Sequence, residues 1–238
     1  MEIFRKMSFA DSTGDAIPFY HEGKYHIFSL TSPPGTTVYP ERLRTTWSHS
    51  ISDDLVHWQE LPTALYPGEG DEPDASGVWT GSVIYGEGQY HAFYTGYCLT
   101  AEFQQTICHA TSEDGITWTK DIANPVITPM TELYEKLDWR DPYVFYNEED
   151  ENYWILISAR RLDMPVTRRG CIVLYRSKNL KDWTYYGPIY SPGHTNCPEC
   201  PEMYKMGGHW YLSYSRFSEF VNTIYRVSAV SYTHLTLP

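Results

Sequence analysis

The chain is a succession of short apolar and aromatic runs that are separated by turn-forming residues. Four pairs of runs follow one another, each pair joined by a turn: at His21-Glu22-Gly23, at Gly86-Glu87-Gly88, at residues 147–152 and at Gly207-Gly208. Runs of this length that are rich in aromatic and β-branched residues and are broken by Gly, Asn and Asp indicate β-hairpins. No window shows an apolar period of 3.6 residues, so the pattern predicts an all-β chain.

The hairpins repeat with a period of about sixty residues. An aromatic pair marks the second run of each hairpin, at Tyr25-His26, Tyr90-His91, Tyr153-Trp154 and Trp210-Tyr211. A second marker, Ser-x-Asp/Asn-x-x-x-Trp, occurs at residues 52–58, at 112–118 and, with Asn179, at 177–183. Four short strands in a repeat of this length are typical of a β-propeller blade, with the marker tryptophans packed between blades. A β-sandwich with chance similarity is the alternative.

The repeats divide the chain into a folded domain and a short tail. Residues 1–230 are predicted to form three complete blades and part of a fourth. Residues 231–238 match nothing in the repeat, and we expect them to be a non-native tail joined to an interrupted gene. The chain is therefore predicted to be a fragment of a larger propeller.

One carboxylate occurs at a similar place in three of the repeats. Asp15, Asp141 and Glu199 precede the aromatic pairs of the first, third and fourth repeats by ten, twelve and eleven residues, and Thr80 lies at the matching place in the second. Equivalent positions of a repeat occupy equivalent places in the fold. The pattern therefore predicts that these four residues, each at the beginning of the first strand of its blade, ring one central pocket.

Paired carboxyl groups at such a pocket indicate glycoside cleavage. One carboxylate attacks or activates water, and one carboxylic acid protonates the leaving oxygen. Glu199 stands between prolines and cysteines, which suits a protonated acid, whereas the charge of Arg140 favours an ionised Asp141. Glu202 competes with Glu199, but three positions along a strand reverse the face, so only Glu199 is expected in the pocket. The remaining acids of the markers are interpreted as turn hydrogen-bonders: Asp53, Asp54, Asp114 and Asp182.

The charge and composition of the chain limit the classes of binding partner. The formal net charge of −12 disfavours binding to nucleic acid or to an anionic membrane. The arginines at 160–161 and 168–169 form the one local exception and are expected on a solvated loop, with a contact to phosphate or an acidic sugar as the alternative. No N-terminal apolar segment or stretch of membrane-spanning length is present, so a cytoplasmic protein without membrane contact is the expectation.

The five cysteines predict neither a disulfide framework nor a metal site. Their number is odd, which argues against a complete set of disulfides. Cys197 and Cys200 have the spacing of a redox or zinc motif, but no second pair of ligands accompanies them. We therefore expect no metal and no cofactor.

Several segments together resemble a known family, the glycoside hydrolases of family 32, which include invertases, inulinases and levanases. The segments that carry the resemblance occur in the family's order: Gly14 to Tyr20, Trp47 to Ser52, Asp54 to Trp58, Trp79 to Ser82, Trp139-Arg140-Asp141-Pro142 and Glu199-Cys200-Pro201. The combination of Arg-Asp-Pro with Glu-Cys-Pro is specific to the group. The resemblance implies a five-bladed β-propeller, present here as about four blades, and a retaining cleavage of β-fructofuranosides such as sucrose or fructans.

The same resemblance implies roles for individual residues. Asp15 would be the nucleophile, and Glu199 the general acid and later the general base. Asp141 and Arg140 would grip sugar hydroxyl groups and stabilise the oxocarbenium-like state. The other substrate-binding candidates come from the matching segments and the predicted ring: Trp47, Trp79, Thr80 and Ser82.

Two alternatives stay open at the level of sequence. The first strand reads Gly-Asp-Ala-Ile-Pro where the family has Asn-Asp-Pro-Asn-Gly, which leaves the substrate undetermined. One alternative is an inverting arabinan- or xylan-cleaving enzyme on a related propeller, whose two carboxyl groups would lie about 6.5–9.5 Å apart instead of about 5–5.5 Å. The other is a carbohydrate-binding propeller without catalysis.

Overall fold

The computed structural model describes residues 10, 12–36, 38–216 and 221–229, and the predicted tail 231–238 lies outside the described residues. The described residues form four antiparallel sheets whose strands follow chain order. The first two sheets contain β1 (Thr13–His21), β2 (Lys24–Thr31), β3 (Thr46–Ser52) and β4 (Trp58–Leu65), then β5 (Gly77–Gly86), β6 (Gln89–Tyr97), β7 (Gln105–Ser112) and β8 (Thr119–Lys120). The last two contain β9 (Tyr134–Asn147), β10 (Asn152–Arg161), β11 (Gly170–Ser177) and β12 (Thr184–Tyr190), then β13 (Glu199–Met206), β14 (His209–Ser215) and β15 (Thr223–Ser228). Two short 3₁₀ helices span Glu41–Leu43 and Val166–Arg168.

The sheets are arranged as the blades of a propeller. The first strand of each sheet contacts the first strand of the next, β1 with β5, β5 with β9 and β9 with β13. These four strands therefore surround the centre, and the later strands lie progressively farther out. The all-β propeller with about four blades is confirmed, and the alternative of a β-sandwich is wrong.

Aromatic and aliphatic side chains fill the spaces between neighbouring blades. Each interface contains one buried cluster, with Phe28 and Trp47 between the first two blades, Trp139 between the next two, and Trp154 between the last two. The marker tryptophans join these clusters from the edge. The ring of Trp118 meets Phe28 of the preceding blade edge-on at 5.9 Å, and the ring of Trp183 meets Phe93 in the same way at 5.3 Å. Trp118 and Trp183 thus pack between blades, as the repeat predicts.

The Ser-x-Asp/Asn-x-x-x-Trp segments form one recurring turn. In the second blade, Ser112 Oγ accepts the amide of Gly115 at 2.9 Å, and Asp114 Oδ1 accepts the amides of Ile116 and Thr117 at 2.8 and 2.7 Å. Equivalent bonds are made by Asp54 and Asn179. Turn residues of this kind bond the backbone two and three positions ahead. The interpretation as turn hydrogen-bonders is confirmed for Asp54 and Asp114 and for Asp182, whose Oδ2 atom accepts the side-chain amide of Asn179 at 2.8 Å, whereas Asp53 pairs with Lys24 instead.

The first strand of every blade is interrupted at the same level by a β-bulge. The unpaired residues are Gly14-Asp15 in β1, Trp79-Thr80 in β5, Asp141-Pro142 in β9 and Cys200-Pro201 in β13, each pair lying opposite one residue of the neighbouring strand. A bulge re-aims side chains and breaks the strict alternation of strand faces. It is therefore the feature that turns the predicted acids towards the centre.

Short hydroxyl side chains join neighbouring blades close to these bulges. Three bonds share this arrangement: Thr45 Oγ1 to the carbonyl of Val78 at 2.6 Å, Ser82 Oγ to the carbonyl of Pro142 at 2.9 Å, and Ser158 Oγ to the carbonyl of Pro198 at 2.5 Å. Each carbonyl belongs to a bulge or to a residue within two positions of one. The blades are thus fixed relative to one another where the first strands meet the centre.

Candidate active site

The structure brings the three predicted acids to one place. Asp15, Asp141 and Glu199 line a cavity of about 310 Å³ together with Trp79 and Thr80. Asp15, Thr80 and Asp141 also line an adjoining cavity of about 400 Å³. Side chains that lie far apart along the chain therefore converge on the propeller centre, as the repeat predicts.

The acids do not occupy one register position, however. In the strand pairing, Asp15 is the second residue of its bulge, Asp141 is the first, and Glu199 directly precedes its bulge. Asp141 also lies in the middle of β9, which begins at Tyr134, and Asp15 is the third residue of β1. The prediction that each acid lies at the beginning of its strand is wrong for Asp141, whereas Asp15 and Glu199 do lie there.

The bulges of the third and fourth blades hold non-glycine residues in the left-handed region. The φ angles are 56° for Asp141 and 48° for Cys200. A left-handed backbone costs about 1–2 kcal/mol for a residue with a side chain, although Asp tolerates it better than most. Strain of this kind is held by the surrounding structure and is found at functional sites.

Asp15 is the exposed member of the group. Its Oδ2 atom accepts a short hydrogen bond from Thr80 Oγ1 of the second blade. The thiol of Cys200 in the fourth blade lies 3.7 Å from the same oxygen. The carboxylate is thus oriented by two side chains of other blades while it remains open to the cavity.

Asp141 is the buried member, with 6% of its surface exposed. Its Oδ2 atom accepts the amide of Cys200 at 2.9 Å and lies 3.7 Å from Arg140 Nε. Burial raises the pKa of Asp141 to about 6, assisted by the charges of Asp15 and Glu199 and opposed by Arg140 and the Cys200 amide. Arg140 favours the ionised form, as expected, but desolvation outweighs it, so the pKa of Asp141 lies above its ordinary value although the group is still mainly ionised at pH 7.

Arg140 lies between acidic side chains and donates hydrogen bonds to two of them. Its Nη2 atom donates to Glu199 Oε1 at 2.8 Å, and its Nη1 atom donates to Asp138 Oδ1 at 2.8 Å and to Gln105 Oε1 at 3.2 Å. Its side chain is 12% exposed. A guanidinium group presents a rigid fork of donors, so three acceptors fix its plane.

Glu199 pairs with this arginine, so the expectation of an apolar setting around its carboxyl group is wrong. Glu202 is also exposed to the centre, where it lines the larger cavity. The prediction that only one of these two glutamates faces the centre is wrong as well. The bulge at Cys200-Pro201 inserts an extra residue between them and reverses the alternation.

The other candidates divide between the cavity wall and the layer behind it. The Trp79 ring lines the smaller cavity, stacks on Tyr97 at 4.0 Å and donates from Nε1 to the carbonyl of Leu43 at 3.0 Å. Trp47 is fully buried and lines neither cavity; its Nε1 donates to the carbonyl of Trp79 at 2.9 Å. Its assignment to substrate contact is therefore corrected to support of Trp79.

Ser82 lines the larger cavity, but its hydroxyl group is engaged by the protein. Ser82 Oγ donates to the carbonyl of Pro142 and accepts the amide of Val144 at 2.8 Å. Because its proton and one of its two lone pairs are engaged, the hydroxyl group joins two blades and cannot donate to a sugar without breaking that connection. The structure thus places Ser82 in the connection between blades.

Sequence reasoning missed several residues that shape the site. Thr95 Oγ1 accepts the amide of Asp141 at 2.8 Å and donates to the carbonyl of Thr80 at 2.9 Å, which ties two bulges together. Leu43, from the first 3₁₀ helix, lines the smaller cavity. Its carbonyl comes so close to Gly77 that a Cβ there would lie 2.2 Å away. Asp138, which accepts from Arg140, was missed as well. Its place in the sequence, two positions before Arg140, is the one signal that could have indicated such a contact.

Three of the four arginines at 160–161 and 168–169 are held in ion pairs. Arg160 is buried, with 5% of its surface exposed, and pairs with Glu135, while Arg161 pairs with Asp163 and Arg169 with Glu135. The expectation of a solvated loop is therefore wrong for Arg160.

Within the described residues, no group of His, Cys, Asp or Glu is placed to hold a metal ion. In the part of the chain that the structure describes, no helix is long and apolar enough to cross a membrane.

Comparison with known proteins bears on this site. Residues 15–235 match the family model described as the glycosyl hydrolases family 32 N-terminal domain. A levanase of Bacillus subtilis is 33% identical over 198 residues, which cover 79% of this chain and 26% of the levanase. A raffinose invertase of Escherichia coli is 32% identical over 202 residues, which cover 81% of this chain and 39% of the invertase.

A solved structure supports the same fold. A GH32 beta-fructofuranosidase of Bombyx mori, solved as a mutant in complex with sucrose, superimposes with a TM-score of 0.74 at 24% identity. The match covers 92% of this chain and 47% of that chain. The chain thus spans less than half the length of the proteins that it matches.

Proposed function

The chain belongs to the glycosyl hydrolases family 32 N-terminal domains, and from this premise we propose that the protein cleaves β-fructofuranosides with retention of configuration. The observation that carries the proposal is the convergence of Asp15, Asp141 and Glu199 on one cavity. The names of the relatives, a levanase and a raffinose invertase, support a fructoside as the substrate class. The sucrose bound in the Bombyx mori structure supports it as well.

In the proposed reaction, Asp15 attacks the anomeric carbon of the fructosyl unit as Glu199 gives its proton to the leaving oxygen. The product of this step is a fructosyl ester of Asp15. Glu199 then takes a proton from water, the water attacks the same carbon, and Asp15 is released as a carboxylate. The exposed and cross-braced carboxylate of Asp15 suits the attacking role. Arg140 holds Glu199 Oε1, so the proposed proton transfer uses Oε2.

Asp141 and Arg140 stabilise the sugar in this proposal. An ionised carboxylate within the cavity favours the positive charge that develops on the ring in the oxocarbenium-like state. Arg140 lines neither cavity and its Nη1 and Nη2 atoms are engaged by the protein, so in this proposal it acts on the sugar through Glu199, which it binds, and Asp141, which it lies beside. The ring of Trp79, open to the cavity and backed by Tyr97, offers an apolar face to the sugar.

The test is an assay of the purified protein on sucrose, inulin, levan and an aryl arabinofuranoside, with the anomeric form of the first product followed by NMR. We expect turnover of at least one fructoside with retention. Asp15→Asn should lower kcat by about 10⁴-fold or more, as the loss of a nucleophile does. Inversion, turnover of the arabinofuranoside alone, or an active Asp15→Asn variant contradicts the proposal. Affinity for a fructoside without turnover would identify a binding module instead.

A further inference from the structure

A line of alternating charges runs along the two inner strands of the third blade, β10 and β9, to Glu199 at the centre. Asp138 is its middle member: its Oδ1 atom accepts from Arg140 Nη1 at 2.8 Å, and its Oδ2 atom lies 3.4 Å from Arg160 Nε. Arg140 in turn binds Glu199. The carboxylate of Asp138 is thus shared between Arg140, which binds Glu199, and Arg160.

An irregularity in the sheet creates this arrangement. In the pairing of β9 with β10, Trp139 lies opposite Ala159 and Tyr134 opposite Arg161, so residues 135–138 all lie opposite Arg160. The extra residues of β9 leave the ladder there and present two acids to one arginine. Arg160 Nε donates to Glu135 Oε2 at 2.6 Å. A buried arginine with two carboxylates and several carbonyl acceptors is rigidly held.

Arg160 also binds the segment that carries Glu199. Its Nη1 atom donates to the carbonyl of Asn196 at 2.9 Å, three residues before Glu199, and also contacts the Asn196 side chain. The neighbouring Ser158 binds the carbonyl of Pro198. Two residues of β10, Ser158 and Arg160, therefore fix the approach of the chain to Glu199.

We propose that Arg160 is a positioning residue for the Glu199 carboxyl group, acting through Asp138 and Arg140 on one side and through the Asn196 segment on the other. The inference rests on the proposed function, because the role of Glu199 belongs to it. Arg160 lines neither cavity, so it does not touch a substrate bound there. Its effect is to hold Glu199 and Arg140 in the geometry that proton transfer needs, where a displacement of about 1 Å costs about 10²-fold in rate.

The test compares Arg160→Met, Arg160→Lys and the matched control Arg161→Met. Arg161 is the next residue and is also ion-paired, but its partner is the exposed Asp163. We expect Arg160→Met to lower kcat on sucrose by about 10²-fold with a smaller change in KM. Arg160→Lys should recover part of this loss because an ammonium group keeps the charge without the fork. The control should stay within about twofold of the unsubstituted protein.

A second readout does not depend on turnover. Arg140 lowers the pKa of Asp141 against the effect of burial. If Arg160 keeps Arg140 in place, both Arg160→Met and Arg160→Lys raise the Asp141 pKa, as measured by NMR titration of its carboxyl carbon. If Arg160 acts only through its charge, the pKa of Asp141 rises in Arg160→Met alone, and this outcome contradicts a positioning role. If no fructoside is cleaved, the proposed function fails while this titration still decides the role of Arg160.

A double-mutant cycle with Asp138→Asn keeps the proposal testable if Arg160→Met unfolds the protein. Asp138→Asn preserves the shape of the side chain and removes the shared charge. When the effects pass through Asp138, the combined Arg160→Lys and Asp138→Asn variant loses less than the product of the two single losses. Independent, multiplying losses contradict the route through Asp138, and full activity in Arg160→Lys together with an unchanged Asp141 titration overturns the proposal.

Discussion

The bulges of the first and third blades place the same kind of residue in opposite settings. In β1 the aspartate is the second bulge residue, exposed to the cavity and braced by side chains of two other blades. In β9 it is the first bulge residue, buried in the left-handed region and bound by a backbone amide. One step along a bulge thus separates an accessible carboxylate, suited to attack, from a desolvated one, suited to stabilise charge.

The largest effect that separates the two acids is on stability. We expect Asp141→Asn to raise the free energy of unfolding at pH 7 by up to about 3 kcal/mol, because it removes a buried charge whose pKa is raised from 3.8 to about 6. Asp15→Asn should change it by less than about 0.5 kcal/mol, since Asp15 is exposed. Urea unfolding of the two variants measures both values. Activity should fall in both, and a less stable Asp141→Asn variant removes the distinction.

The pH dependence sharpens the same contrast. Between about pH 4 and pH 6 the folded protein holds a proton on Asp141 that the unfolded chain releases, so this group makes stability fall as pH rises through that window. Over the same range kcat/KM should rise with pH as Asp141 ionises and can stabilise the cationic sugar. Chemical unfolding at a series of pH values, compared with Asp141→Asn, checks the first trend. A fall in kcat/KM across the window would contradict the second.

The smallest effect concerns the brace of Asp15. Thr80→Val removes the hydroxyl group that donates to Asp15 and keeps the shape of the side chain. We expect kcat/KM to fall by about tenfold, the worth of one hydrogen bond to a charged group. Thr80→Ser retains the donor and is the matched control. Equal losses in the two variants would show that packing, and not the bond, is what Thr80 contributes.

The sequence predicted the fold because its signals are local. Turn residues such as Gly86-Glu87-Gly88 and the recurring Ser-x-Asp/Asn-x-x-x-Trp marker act within a few positions, and their spacing alone indicates blades. The convergence of Asp15, Asp141 and Glu199 followed from that repetition. The unequal offsets of ten, twelve and eleven residues already carried the sign that their positions in the strand differ.

The details of the site could not be read in the same way. The bulges at Asp141 and Cys200 use no glycine, so nothing in the sequence marks them. The pairing of Arg140 with Glu199 joins residues 59 positions apart. The pKa of Asp141 is decided by burial against the charge of Arg140, and burial depends on the assembled fold. The engagement of Ser82 by Pro142 depends on how two blades meet, which no local pattern encodes.

The hydrogen bonds that join neighbouring blades near the centre have a consequence for substrate specificity. The hydroxyl groups of Thr45, Ser82 and Ser158 act as spacers one carbon long, and each fixes how far a blade stands from the next. The width of the opening at the axis therefore depends on these bonds between blades as well as on the side chains that face the sugar. Changing the length of such a spacer offers a route to admit a bulkier sugar while every acid keeps its place in the sequence.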